Sequence, residues 1–322
     1  MRGAAALRHP GHDRQLPDRS QHPRGNRQIG VSIHAATDQA SCPLDWRLYV
    51  PGAGDDTCAD TNEEAELIKA RRTKAQLPAV QRHRTKWAMA LEMIDELLVW
   101  GHRLPALVAD AGYGEITAFR CGLTERQIPY MVAAKASTSA FGDDAATEVL
   151  EYSGRGPRPH QRRYLGPPSS LKDLVIAAGR PSLHQVTWRH GTKATPNNTL
   201  ASMKSRFIAL RVRPANRDLP RGDDDSLPAE WPLAEWPTAA TAPTDYWLST
   251  LPESTPLKEL VRLAKIRWRI EHDYRELKTG LGLAHFEGRT WLGWHHHMTL
   301  VTAAHPFITQ LRLTRPKAVG AG

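Results

Sequence analysis

The spacing of apolar and polar residues changes period several times along the chain, and each change predicts an element. From Gln28 to Ala35 apolar and polar positions alternate as in a half-buried strand, and Trp46 to Val50 follows after a turn. Two neighbouring strands in a hairpin are the simplest account. A Gly- and Asp-rich loop leads to a charged helical stretch, Asn62 to about Lys74. Beyond Pro78, Trp87, Ala90, Leu91, Ile94, Leu97 and Leu98 fall at helical spacing, in a helix that ends near Gly101. A short apolar run, Pro105 to Asp110, closes on a glycine-bearing turn at Gly112 and Gly114. A helix through Phe119 and Leu123 and a strand over Pro129 to Lys135 come next. Strand, helix and strand at this length make a βαβ unit, which needs a parallel pairing. An Asp at the carboxyl end of its first strand lies at the edge where α/β sheets place their ligands.

From about 137 to 252 the pattern shortens. The runs 184–189, 206–213 and 246–251 read as strands, turn-rich segments such as 157–168 and 214–228 separate them, and one short helix covers about 171–178. A helical pattern from about Pro256 to Leu281 and a last one from about Trp291 to Leu313 complete the chain. In the last, Trp294, Met298, Val301, Ala304 and Phe307 share a face. In the former, Leu263, Ile266, Ile270, Leu277 and Leu281 form an apolar stripe. At about 100° per residue, Arg267, Glu271, Arg275 and Lys278 fall within roughly 80° of one another beside it. Three cations around one carboxylate, at the margin of a buried face, suit an active site. They also suit a solvated face with spaced ion pairs.

Composition narrows the choice of partner. The chain of 322 residues carries Lys+Arg 43 against Asp+Glu 34, for a formal charge of +9 and a pI near 9.6. That balance favours a polyanion such as nucleic acid over an acidic small molecule. At this length two domains are the natural expectation. Cys42, Cys58 and Cys121 have neither paired nor zinc-type spacing, which fits a reduced cytoplasmic setting, nucleoid-associated if the partner is DNA. No run of about 18 apolar residues is present and the N-terminus lacks the apolar centre of a signal peptide, so no membrane partner is expected. Residues 1–27, rich in Arg, His, Pro and Gly, show the period of neither strand nor helix and read as a disordered basic segment.

Three features invite chemistry and are better read as structure. Consecutive helical residues point about 100° apart, so His295, His296 and His297 do not converge on one ion. Cys121 stands in an amphipathic helix with no nucleophile motif around it. The run Asp223 to Asp225 lacks the ligand ladder of a Ca²⁺ loop and reads as a solvated turn. Two carboxylates on rigid elements of a basic α/β protein, Asp110 and Glu271, instead suit phosphodiester chemistry. Hard divalent cations prefer oxygen ligands, two such ions activate attacking and leaving oxygens, and Arg267, Arg275 and Lys278 could hold phosphates.

With these residues in view, the chain resembles the cut-and-paste transposases of bacterial insertion sequences, the DDE superfamily with an RNase H-like catalytic domain. The resemblance covers about 28–313 and is most specific in LVADAGYG around Asp110 and RWRIEHDYRELKTGLGL around Glu271. An Arg, a Glu four residues on and a Lys seven beyond that are matched by Arg267, Glu271 and Lys278. The Tyr that usually precedes the Arg by three is Ala264 here. The resemblance implies an RNase H-like mixed sheet flanked by helices and interrupted by a mainly β insertion. It divides the chain into a first catalytic part over 28–136, the insertion over 137–253, completing helices over 254–314 and a tail over 315–322. It also implies Asp110 and Glu271 as ligands of a two-metal Mg²⁺ (or Mn²⁺) site, cleavage and strand transfer at transposon ends, and assembly as a homodimer on paired ends. Trp188 or Trp247 of the insertion could stack on a splayed base.

The family needs a further Asp on a first strand that precedes Gln28. Only Asp13 and Asp18 lie upstream, neither in an apolar run. The expectation is therefore that a frameshift or misassigned start replaced that strand and its acid, leaving a chain inactive by itself. A DNA-binding or regulatory remnant of a transposase and an unrelated basic nuclease with an RNase H-like core are the other readings.

Overall fold

The computed structural model describes residues 4–8, 28–151, 154–156, 162–191, 199 and 201–314. Its strands in chain order are β1 (Ala4–Arg8), β2 (Gly30–Ala36), β3 (Ser41–Leu48), β4 (Leu107–Ala109), β5 (Tyr130–Ala134), β6 (Ser139–Gly142), β7 (Thr147–Val149), β8 (Arg162–Tyr164), β9 (Ser169–Ser170), β10 (His184–His190), β11 (Ser202–Ala209), β12 (Val212–Pro214), β13 (Trp231–Glu235) and β14 (Asp245–Ser249). Its helices are α1 (Asn62–Lys74), α2 (Lys86–Val99), α3 (Ala111–Gly114), α4 (Thr117–Glu125), α5 (Leu171–Ala178), α6 (Leu257–Lys265), α7 (Trp268–Thr279) and α8 (Trp291–Thr314). The chain divides into two compact units, one of Met1–Leu104 with Ile266–Gly322 and one of Pro105–Lys265. β10, β11, β13 and β14 hydrogen-bond onward from β5 in one sheet.

In the first unit β1, β2 and β3 pair antiparallel in that order. The expected hairpin is present, and a strand stands before it. This corrects two expectations, that residues 1–27 hold no strand and that the first strand is missing: Ala4–Arg8 pairs with β2 from Ala4↔Ala36 to Arg8↔Ser32. The physical reason is that three alanines, a leucine and an arginine carry no alternation to detect. Asp13 and Asp18 lie outside the described residues. Val31, Ser32, Ile33 and His34 of β2 are all fully buried, so this strand is covered on both faces. α2 meets β2 and buries Met89, Met93, Ile94 and Leu97, while α7 meets β2 and β3, and α8 meets β3.

Polar anchoring holds α1, whose residues are mostly charged. Thr61 caps it by accepting from the Glu64 N–H at 3.2 Å. Buried Arg72 pairs with Asp56 at 3.2 Å and donates to the Gln81 carbonyl at 2.6 Å. Burial by itself would raise the Asp55 carboxyl. Bonds from the His83 and Thr57 N–H groups, the Thr57 hydroxyl and Arg82 outweigh it and hold that carboxyl well below the usual carboxylate range.

The second unit is built on a curled six-stranded mixed sheet in the order β10-β11-β13-β14-β5-β4, with helices against it, as in an RNase H-like fold. β4 and β5 are parallel, as a βαβ unit requires, and the other pairings are antiparallel. Leu107, Val108 and Ala109 are all buried, the signature of a strand covered on both faces. α6 lies across β5, β10 and β11. Two small sheets, β12-β6-β9 and β7-β8, complete the unit.

The expected single helix from Pro256 to Leu281 is two. α6 ends at Lys265 and α7 starts at Trp268, with Arg269 N–H bonded to Ile266 O and Ile270 N–H to Arg267 O, a tightened turn where the chain leaves one unit for the other. In α8 Trp294, Met298 and Val301 are buried as expected. Phe307 is exposed, and His305 is the buried residue instead. No helix among the described residues is long and apolar enough to cross a membrane.

Candidate active site

On the second unit Asp110 directly follows β4 and stands at the N-terminus of α3, with extended backbone angles of φ −80° and ψ 178°. Its carbonyl accepts from the N–H groups of Tyr113 at 3.1 Å and Gly114 at 2.8 Å, so the chain turns within one residue of the sheet edge. Such a turn needs glycine at its end. A Cβ on Gly114 would lie 2.1 Å from the Ala133 carbonyl oxygen and 3.0 Å from the Val132 Cβ. Only a residue without a side chain lets α3 approach β5 this closely. Tyr113 packs on Phe119 with ring centroids 5.4 Å apart, and Arg120 of α4 donates to the Gly114 carbonyl. Asp110 itself is half-buried.

On the first unit the charged row lies where the helical period places it. Ile270, Asp273, Tyr274 and Leu277 are the buried arc of α7, and Glu271, Arg275 and Lys278 are exposed beside it. Arg267 Nη2 stands 3.8 Å from Glu271 Oε1, with side-chain exposures of 26% and 54%. An exposed pair at that distance is worth about 0–1 kcal/mol and leaves the carboxylate oxygens open to solvent and to a ligand. Lys278 lies over the Tyr274 ring at 6.0 Å. The structure thus joins Arg267 to Glu271, and Asp110 belongs to the other unit.

The buried arc holds what periodicity did not reveal, a polar cluster beneath the charged row. Asp273 is 3% exposed. Its Oδ1 accepts from the Ser41 hydroxyl at 2.6 Å, and its Oδ2 stands 3.1 Å from His34 Nδ1. His34 Nε2 is 3.2 Å from Ser32 Oγ, which is 2.7 Å from the Tyr274 hydroxyl. His305 Nε2 lies 3.6 Å from Asp273 Oδ1 and 3.5 Å from Glu276 Oε2. Serine, histidine and aspartate in contact suggest a nucleophile triad. With His34 and Ser32 fully buried, however, no substrate reaches them. The signal that could have found the cluster was Ser32 and His34 two apart on a strand read as half-buried, where both side chains share a face.

The lesser candidates resolve into packing. Lys265 pairs with Glu235, and its ammonium lies 5.2 Å from the Trp188 ring, 5.1 Å from Trp247 and 5.7 Å from Phe207. The indole faces offered for a splayed base are thus turned to a cation of the same unit. His295 packs with Trp291 and Trp294 and His297 with Phe286, so their rings diverge. Burial, with the nearby Arg47 charge, lowers the His295 imidazole, and burial pushes the Cys121 thiol up. In the acidic turn Asp224 accepts from Ser226, and Asp225 accepts from the Arg162 N–H.

Among the described residues no group of three His, Cys, Asp or Glu could hold a metal. The strand β1, Ala4–Arg8, carries no acidic residue.

Residues 7–195 match a family model described as DDE superfamily endonuclease. That span includes Asp110 and ends before Glu271. No curated protein matches the chain.

Proposed function

We propose, from the premise that this chain belongs to the DDE superfamily of endonucleases, that it is a transposase-type protein which binds DNA and does not cleave it alone. The family acts on DNA and generally uses divalent metals. In this reading Asp110 and Glu271 are two of the acids of a site for Mg²⁺ or Mn²⁺. Arg267, Arg275 and Lys278 hold phosphates along α7. The observation that carries the proposal is the composition of β1, Ala-Ala-Ala-Leu-Arg, without a carboxylate beside the retained Asp110 and Glu271. With no acid in that strand, part of the charge that would fix the ions is missing from it, and no cleavage step is assigned to this chain.

What the chain's own residues do is hold and orient. The α3 turn fixes Asp110 at a strand end, and α7 carries Arg275 and Lys278 on its exposed face, the side-chain type that contacts phosphates. Salt-sensitive DNA binding with no Mg²⁺-dependent nicking of supercoiled plasmid is the expected result. Nicking that Mg²⁺ starts, and that both Asp110→Ala and Glu271→Ala abolish, would overturn the proposal in favour of a complete enzyme.

A further inference from the structure

The charged row of α7 does little to fix its own direction. Its one internal pair is long, and the apolar residues beneath it, Ile270 and Leu277, turn that face of the helix to the core and so set its rotation only coarsely, since contact between apolar groups has no preferred angle. Hydrogen bonds are directional and weaken steeply when bent. α7 makes them at two consecutive buried residues, about 100° apart around its axis. Asp273 is held by Ser41 of β3 and His34 of β2 on its two oxygens, and Tyr274 by Ser32 of β2. A rotation of the helix that kept one of these contacts would break another.

From this geometry we infer that Asp273 and Tyr274 are positioning residues. Clamped to β2 and β3 through His34, Ser41 and Ser32, they set the rotation at which α7 presents Arg267, Glu271, Arg275 and Lys278 to a polyanionic ligand. The inference rests on the reading of that row as a phosphate-binding face. Neither residue touches the ligand. They act through the helix, so breaking the clamp should remove phosphate contacts while every cation remains in the chain.

The test is the salt dependence of binding to a short fluorescein-labelled duplex of arbitrary sequence, followed by anisotropy below the melting temperature of each variant. The slope of log K against log [KCl] counts phosphate contacts at about 0.9 each. Lys278→Ala should lower the slope by about one. Asp273→Asn, of the same shape, and Tyr274→Phe, lacking only a hydroxyl, should each lower it by about one or more, with affinity at moderate salt falling about tenfold. Unchanged slopes in both clamp variants, with Lys278→Ala still effective, would overturn the inference and leave the cluster as packing. Unchanged slopes in Lys278→Ala and Arg275→Ala as well would overturn the phosphate-binding reading, and the inference with it.

Discussion

The two acids of the proposed site are held by opposite means. Asp110, on the second unit, stands on a turn fixed by close contact. α3 approaches β5 so tightly that Gly114 admits no Cβ, and β4, the strand that leads into Asp110, is apolar and fully buried. Glu271, on the first unit, is fixed from the other side of its helix by a buried polar cluster that it does not touch. Contact of the first kind fails when volume is added. Anchoring of the second kind fails when a partner is removed and a buried polar group loses its bond. An exposed carboxylate is thus positioned by neighbours whose own chemistry is structural.

The sharpest way to break this contrast is Gly114→Ala. With a carbonyl oxygen 2.1 Å from the new Cβ, the turn must move, and a loss of about 3 kcal/mol or more is expected, read as a large drop in chemical-denaturation midpoint. Asp273→Leu should come next. It leaves buried His34 and Ser41 without their acceptor, for a loss of about 2–4 kcal/mol, and thermal unfolding of this variant against Asp273→Asn separates lost bonding from lost shape.

A pH titration sharpens the comparison between units. Asp55 has its folded pKa lowered by His83, Thr57 and Arg82 against the effect of burial. Its contribution is therefore present above the unfolded carboxylate value of about 3.9 and is lost as pH falls through the folded value. Glu230, fully buried in the second unit, has its carboxyl raised by burial. Its contribution has the opposite sign, being full below about 4.3 and lost as pH rises through the raised value. Hydrogen exchange resolved by segment should show α1 and its loop losing protection first in acid, and Asp55→Asn should abolish that difference. The smallest effect belongs to Glu271→Gln. Its side chain is 54% exposed and its pair with Arg267 is long, so a change in stability under about 0.5 kcal/mol is expected by calorimetry.

Much of the fold was legible because its elements obey a period. α1, α2, α5 and α8 fall close to their expected ranges, and β4, α4 and β5 form the βαβ unit the apolar runs implied. β13 was missed, since Trp231 to Glu235 contains a proline and sits among turn-rich residues. Its membership of the sheet depends on β11 and β14 on either side. The positions of Glu271, Arg267, Arg275 and Lys278 on one face of α7 were also legible, since rotation per residue is fixed in any helix.

The sequence by itself determined the chemistry on offer: the basic charge, the acids at Asp110 and Glu271, the glycine that ends the α3 turn, and the absence of a carboxylate in Ala4–Arg8. Tertiary structure alone decided that Ala4–Arg8 is a strand, that Lys265 lies against Trp188 and Trp247, and that Asp273, charged like Glu271 two residues away, is buried while Glu271 is exposed. The reason is that period assigns a residue to a face of its own element. What that face meets depends on segments as distant as Ser32 and Tyr274, 242 residues apart in the chain, and no local pattern encodes such a pairing.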